Sequence, residues 1–144
     1  MAARVAAITA IAGCSYSTLD DAVGSNIVST EVVVAPSAPD ALATINATVH
    51  LVALSRAEHE IAVDYVALEP PTGEHRLDLA SSPTTPFWIH PNGNVNIDFV
   101  NAGTTNAELT SLCGQTVNIL ANFTFLDDAR GGARADAPVS ISCP

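Results

Sequence analysis

Four histidines (50, 59, 75 and 90) and fifteen acidic residues are the groups in this chain that could move a proton or hold a metal ion. No histidine has ligand spacing with another histidine or with a cysteine, so there is no zinc signature and no cofactor is implied. His59 and His75 stand in charged turn segments and His90 precedes Pro91, which reads as surface placement. One pairing could do acid–base work. If the Ser55–Glu60 connection is a hairpin centred at about residue 57, His50 falls opposite Asp64 on the outer face of that sheet. Such a pair is catalytic only beside a nucleophile, and no G-x-S-x-G elbow supplies one. Asp127, Asp128 and Asp136 crowd the last loop, but Arg130 and Arg134 sit among them. Calcium takes roughly six to eight oxygen ligands, and the D-x-[DN]-x-[DN]-G pattern is absent. No catalytic or metal-ligating residue is therefore assigned, and a non-enzymatic role is expected.

The elements that would carry these groups are short, β-branched and separated by turn signals, the pattern of an all-β sandwich. Strands are expected near Ile27–Ala35, Thr44–Leu54, Ile61–Leu68, Arg76–Leu79, Phe87–His90, Asn94–Val100, Thr116–Phe125 and Pro138–Cys143. Only Pro39–Ala43 or Ala107–Leu112 could form a turn of helix. Ile45, Ala47, Val49, Leu51 and Ala53 alternate with Thr44, Asn46, Thr48 and His50, and two other strands alternate as cleanly. One apolar and one wet face per strand calls for antiparallel sheets packed on a shared core. By parity Val52, Leu54, Val66 and Leu68 fall on the wet face, where either the segment around Ala35–Leu42 covers them, the reading preferred, or they form an apolar patch for a partner. Asn92-Gly93 is a favoured pair for a tight hairpin between the strands on either side of it.

Composition narrows the partners. The chain has a net charge of −10 and contains no lysine. Nucleic-acid binding draws its affinity from cationic neutralisation of phosphates, so that class of partner is excluded. The same charge repels anionic headgroups and leaves no direct membrane-binding surface.

At the amino end, Arg4 precedes an apolar run from Val5 to Ala12, and Ile11-Ala12-Gly13-Cys14 closes it. This is the layout of an export signal, too short to span a bilayer, which takes roughly 20 apolar residues. The tetrad resembles the lipobox of bacterial lipoproteins. That resemblance implies removal of residues 1–13, acylation of Cys14 and a lipid-anchored tether over 14–26, with the domain at 27–144. Ser15 after the cysteine favours the outer membrane by the same analogy. Fully extended, the polar run from Ser15 to Asn26 would hold the domain within roughly 40 Å of the membrane.

With Cys14 given to lipid, Cys113 and Cys143 are an even pair in an oxidising compartment. A hairpin folding the last two strands together pairs residues whose numbers add to about 256, as those of the two cysteines do. A disulfide is expected there. About seven or eight strands with these connections resemble an immunoglobulin-like or fibronectin-type two-sheet sandwich. Trp88 does not lie between Cys113 and Cys143, so the antibody-type pattern is not met.

The sequence thus predicts an acidic, lipid-anchored sandwich in a bacterial envelope, a binding or structural module for adhesion or envelope assembly. Its expected partners are the membrane through the lipid, and an envelope protein or surface polysaccharide. The competing expectation is a small-ligand-binding or hydrolytic protein using the His50/Asp64 face.

Overall fold

The computed structural model describes residues 22–127 and 131–144. Cys14 and the whole lipobox, with Asp128 and Arg130, lie outside them. The described chain is all-β apart from one short helical stretch, and among the described residues no helix is long and apolar enough to cross a membrane. The strands are β1 (Val23–Val33), β2 (Thr44–Ala53), β3 (His59–Glu69), β4 (His75–Leu77), β5 (Leu79–Ser82), β6 (Phe87–Ile89), β7 (Asn94–Asn101), β8 (Thr116–Phe125) and β9 (Gly132–Ser142). They form one hydrogen-bonded path, β4-β3-β8-β9-β1-β2-β7-β5, with β6 also on β3. The path doubles over, and Phe99 of β7 meets Phe123 of β8 across the core with ring centroids 6.3 Å apart. All pairings are antiparallel except a short parallel contact, Val32 and Val33 of β1 with Ile141 and Ser142 of β9.

The expected alternation is present. Ile45, Ala47, Val49, Leu51 and Ala53 are buried in β2, and Val117, Ile119, Ala121, Phe123 and Phe125 in β8. The last hairpin has the expected register, with Thr116 opposite Ser140 through to Thr124 opposite Gly132. Its extension meets at the Cys113–Cys143 disulfide, Cα atoms 5.6 Å apart. Gly114, at φ 77°, makes the local turn that lets Cys113 leave the 3-10 turn Thr110–Leu112 and reach Cys143.

Four expectations about these elements are corrected. The first strand begins at Val23, inside the segment read as tether, because Val23 is buried opposite Ala53. The single strand expected at Arg76–Leu79 is two, β4 and β5, in opposite layers. Between them Asp78 is pinned by Ala102 N–H (2.9 Å) and Gly103 N–H (3.1 Å) donating to its carbonyl and by its own N–H on Thr104 Oγ1 (2.9 Å). The Asn92-Gly93 turn is tight but joins no hairpin, since β6 pairs with β3 and β7 with β2 and β5. Pro91, which has no N–H, takes the first central position, so Asn92 adopts φ 61° and Gly93 donates back to His90 O at 2.9 Å. Finally, Val66 and Leu68 belong to the core. A bulge at Asp64, between Val63 and Tyr65, shifts the register and reverses which parity points inward. Leu54 is 61% exposed and Val52 half-buried.

The segment after β1 is tied to the far end of the sandwich by one buried side chain. Asn106, 2% exposed, accepts from Ala35 N–H at 2.9 Å and donates to Ala38 O at 2.8 Å. It opens the helical turn α1 (Asn106–Leu109), whose Glu108 carboxylate reaches back to Thr105 N–H at 2.9 Å and accepts from Thr105 Oγ1 at 3.0 Å. The backbone donor and then the hydroxyl hold the Glu108 carboxyl below its usual value. A depressed carboxyl favours the folded state above the unfolded pKa and loses that contribution as pH falls through the folded one. Glu108→Gln is therefore expected to lower the urea midpoint at pH 7, the difference from wild type closing as the pH falls through the carboxylate range.

Candidate functional site

His50 and Asp64 do not meet. β2 is flanked by β1 and β7, so both of its edges are occupied and it cannot form a hairpin with β3. His50 Nδ1 lies 2.6 Å from Asn96 Oδ1 in a polar ladder on the outer face of β2 and β7, beside Thr48 Oγ1 donating to Asp98 at 2.7 Å. Asp64, at the bulge in the opposite layer, accepts from Asn122 Nδ2 at 3.0 Å. Alternation told which face each residue takes but not which strand lies alongside.

His59, expected at the surface, is buried at the start of β3 and stacks on Phe125 with centroids 4.6 Å apart. Both ring nitrogens have partners. Nε2 lies 3.3 Å from Ser55 Oγ and Nδ1 3.2 Å from Asp127 Oδ2, while Asp127 Oδ1 accepts from Glu60 N–H at 2.7 Å. This is the serine–imidazole–carboxylate connectivity of an acyl-transfer relay, with the carboxylate fixed by a backbone donor. The sequence signal was there in Ser55-x-x-x-His59, but Asp127 comes from a distant hairpin and no motif spans the three. The imidazole is sandwiched into the wall, and Ser55 Oγ is also engaged with the backbone of Ala57 at 3.3 Å. The relay ties the β2–β3 loop to the end of β8. His59→Phe keeps the stacking and removes both polar contacts, and is expected to cost about 1–2 kcal/mol in urea unfolding.

Of the other histidines, His90 is exposed while His50 and His75 are half-buried, and His75 Nε2 is buried without a hydrogen-bond partner among the described residues. His90 pairs with Glu58 at 2.9 Å, and His75 Nε2 stands 3.9 Å from Glu108. Asp136 is not in the last loop but on β9, opposite Leu120, with Arg134 Nε 3.9 Å away. Asp136 is thus set apart from the loop that holds Asp127, and among the described residues no three His, Cys, Asp or Glu side chains converge on a metal site.

A cleft opens beside β3. β3 pairs with β6 over His59–Ile61 and with β4 over Val66–Leu68, which leaves residues 62–65 without a strand on that edge. The chain crosses between layers at Asp78 and again over Ser82–Phe87, where the peptide bonds before Pro83 and Pro86 are cis. These crossings frame a cleft of about 410 Å³. Val63, Val66, Leu77, Leu79 and Phe99 form its apolar wall, and Asp64, Asp78, Arg76, Ser81 and Thr85 its polar rim. The Arg76 guanidinium lies over the Tyr65 ring, 3.7 Å from the centroid, and its Nε donates to Glu74 at 3.2 Å. That charge is already satisfied. Sequence reading had no means of finding this cleft, because it assembles from a bulge and two crossovers.

Fold and site together define an all-β sandwich domain with a disulfide-closed hairpin. No protein-family model matches the chain, and no curated protein matches it in sequence. Among solved structures it is similar to an ASH / PapD-like domain of human CEP192 (PapD-like domain 7), at 8% identity over 97% of each chain and a TM-score of 0.44. At that score the likeness carries no functional inference.

Proposed function

We propose that this protein is a bacterial envelope lipoprotein, anchored by acyl chains on Cys14 and displaying a non-catalytic binding or structural module, immunoglobulin-like in its two-sheet arrangement. The carrying observation is the tetrad Ile11-Ala12-Gly13-Cys14 behind a short apolar run. The Cys113–Cys143 disulfide supports it independently, since such bonds persist in oxidising compartments. The chain has no lysine and a net charge of −10, which suits a tethered module that does not lie on anionic lipid. With β1 beginning at Val23, the tether shortens to Ser15–Ala22 and reaches at most roughly 28 Å when extended. Adhesion or envelope assembly, with an envelope protein or surface polysaccharide as partner and the outer membrane as address, is the role we assign.

Metabolic labelling with a palmitate analogue tests the anchor. Wild type is expected to take up label and sediment with membranes, and Cys14→Ala to lose both. An intact, unacylated initiating peptide in native mass spectrometry would overturn the reading. A hydrolytic role is favoured by one observation, the Ser55–His59–Asp127 connectivity. Covalent labelling of Ser55 by a fluorophosphonate, abolished in His59→Phe, would establish it in place of the non-catalytic reading.

A further inference from the structure

We infer that His75 and Glu108 form a pH-sensitive latch, open while the imidazole is neutral and closed once it is protonated. The latch lies where β3 ends and β8 begins, and it does not depend on the envelope reading. Nε2 of His75 is buried and has no hydrogen-bond partner among the described residues. It stands 3.9 Å from Glu108 Oε1, beyond hydrogen-bond reach but close enough for attraction between charges. Glu108 is fixed by its other oxygen, since Oε2 accepts from Thr105 N–H at 2.9 Å and from Thr105 Oγ1 at 3.0 Å. Oε1 is left to face the ring. His75 is fixed by its strand, because β4 pairs with β3 and sets His75 opposite the buried Leu68. A movement of about 1 Å brings the two atoms to the roughly 2.7–2.9 Å of a charge-assisted bond.

Charge decides when that movement is favoured. A neutral ring leaves Nε2 orphaned in either tautomer, as a lone pair facing an anion or as an N–H with no acceptor in reach. A protonated ring carries an N–H on both nitrogens and gains a bond together with the attraction. Imidazoles take up that proton between about pH 8 and 5. Glu108 stays ionised across that interval, because the Thr105 N–H and hydroxyl hold its carboxyl below the usual value. The neighbouring charges are engaged elsewhere. Glu74 accepts from Arg76 at 3.2 Å, and Glu69 on β3 lies 3.9 Å from Arg134. The loop before β4 and the 3-10 turn present Thr72, Ser111 and Leu112, which carry no charge. Closure ties β4 to α1, whose Asn106 already holds the segment after β1 at Ala35 and Ala38. A contact made only by the protonated ring binds its proton more tightly in the folded chain than in the unfolded one. Its contribution is therefore present in mildly acidic medium and lost as pH rises through the imidazole range.

Imidazole NMR and urea unfolding of the purified full-length protein at about pH 5.5 and 7.5 test this. At the lower pH wild type is expected to show a slowly exchanging Nε2–H signal from His75. Glu108→Gln should lose it, since Gln keeps a capping side chain at that position and removes the charge. Between the higher and the lower pH the wild-type midpoint should rise by about 0.1–0.5 M more than that of His75→Gln, the scale of a partly exposed pair. The excess should be missing from Glu108→Gln and from the double variant as well. Contributions from His59 with Asp127 and from His90 with Glu58 are common to all four proteins and cancel in the comparison. Both side chains are partly exposed, so the variants keep the folded state. A freely exchanging Nε2–H at the lower pH, equal protection in Glu108→Gln, or parallel midpoints for wild type and His75→Gln would each overturn the proposal.

Discussion

Cys113→Ala with Cys143→Ala is expected to lower the stability of this domain by about 3–4 kcal/mol, read as a fall in the urea midpoint with a steeper slope as the unfolded chain expands. The bond closes a separation of 30 residues, and losing it releases the unfolded chain more than it disturbs the folded one. The native cost is small because the β8–β9 ladder continues without the bond. Gly114 N–H donates to Ile141 O at 3.0 Å and Ile141 N–H to Gln115 O at 2.9 Å. The two sulfurs sit beside the core without filling its centre. Dithiothreitol added to wild type should reproduce the loss. If the double variant unfolds with wild type, the hairpin is already restrained in the unfolded chain and the entropic account is wrong.

Phe123→Ala should be comparably severe, about 3–5 kcal/mol. Phe123 is 1% exposed, the largest of the fully buried side chains, and it meets Phe99 across the two layers. Truncation leaves a cavity where the layers touch, and sheets tied by backbone pairing cannot close over it. Phe99→Leu, by contrast, keeps most of the volume and should cost far less. The comparison separates the cavity contribution from simple loss of apolar area.

What sequence reading reached and missed follows a physical line. Alternation in β2, β7 and β8 was plain because one residue in two must face a core that water cannot enter. The β8–β9 register was legible because both strands are local to one loop and two cysteines report on it. The bulge at Asp64 was not legible, since an extra residue in a strand leaves no mark in composition, and so Val66 and Leu68 were read on the wrong face. The Asn92-Gly93 turn was found as a turn and misread as a hairpin. Turn chemistry specifies a local reversal and is silent on which sheet receives the next strand.

The relay of Ser55, His59 and Asp127 shows the same limit from the side of chemistry. Two of its members are four residues apart, yet the third arrives only when β8 pairs with β3. The pairing expected in its place, His50 with Asp64, needed β2 and β3 to be neighbours, and the fold puts them in opposite layers. Here local patterns determined the all-β class, the buried faces and the disulfide, because each depends on period-two geometry or on residues close along the chain. Partner strands, the burial of His59 and the opening at Asp64 and Asp78 were decided by tertiary structure, because pairing order is a competition among edges far apart in the chain.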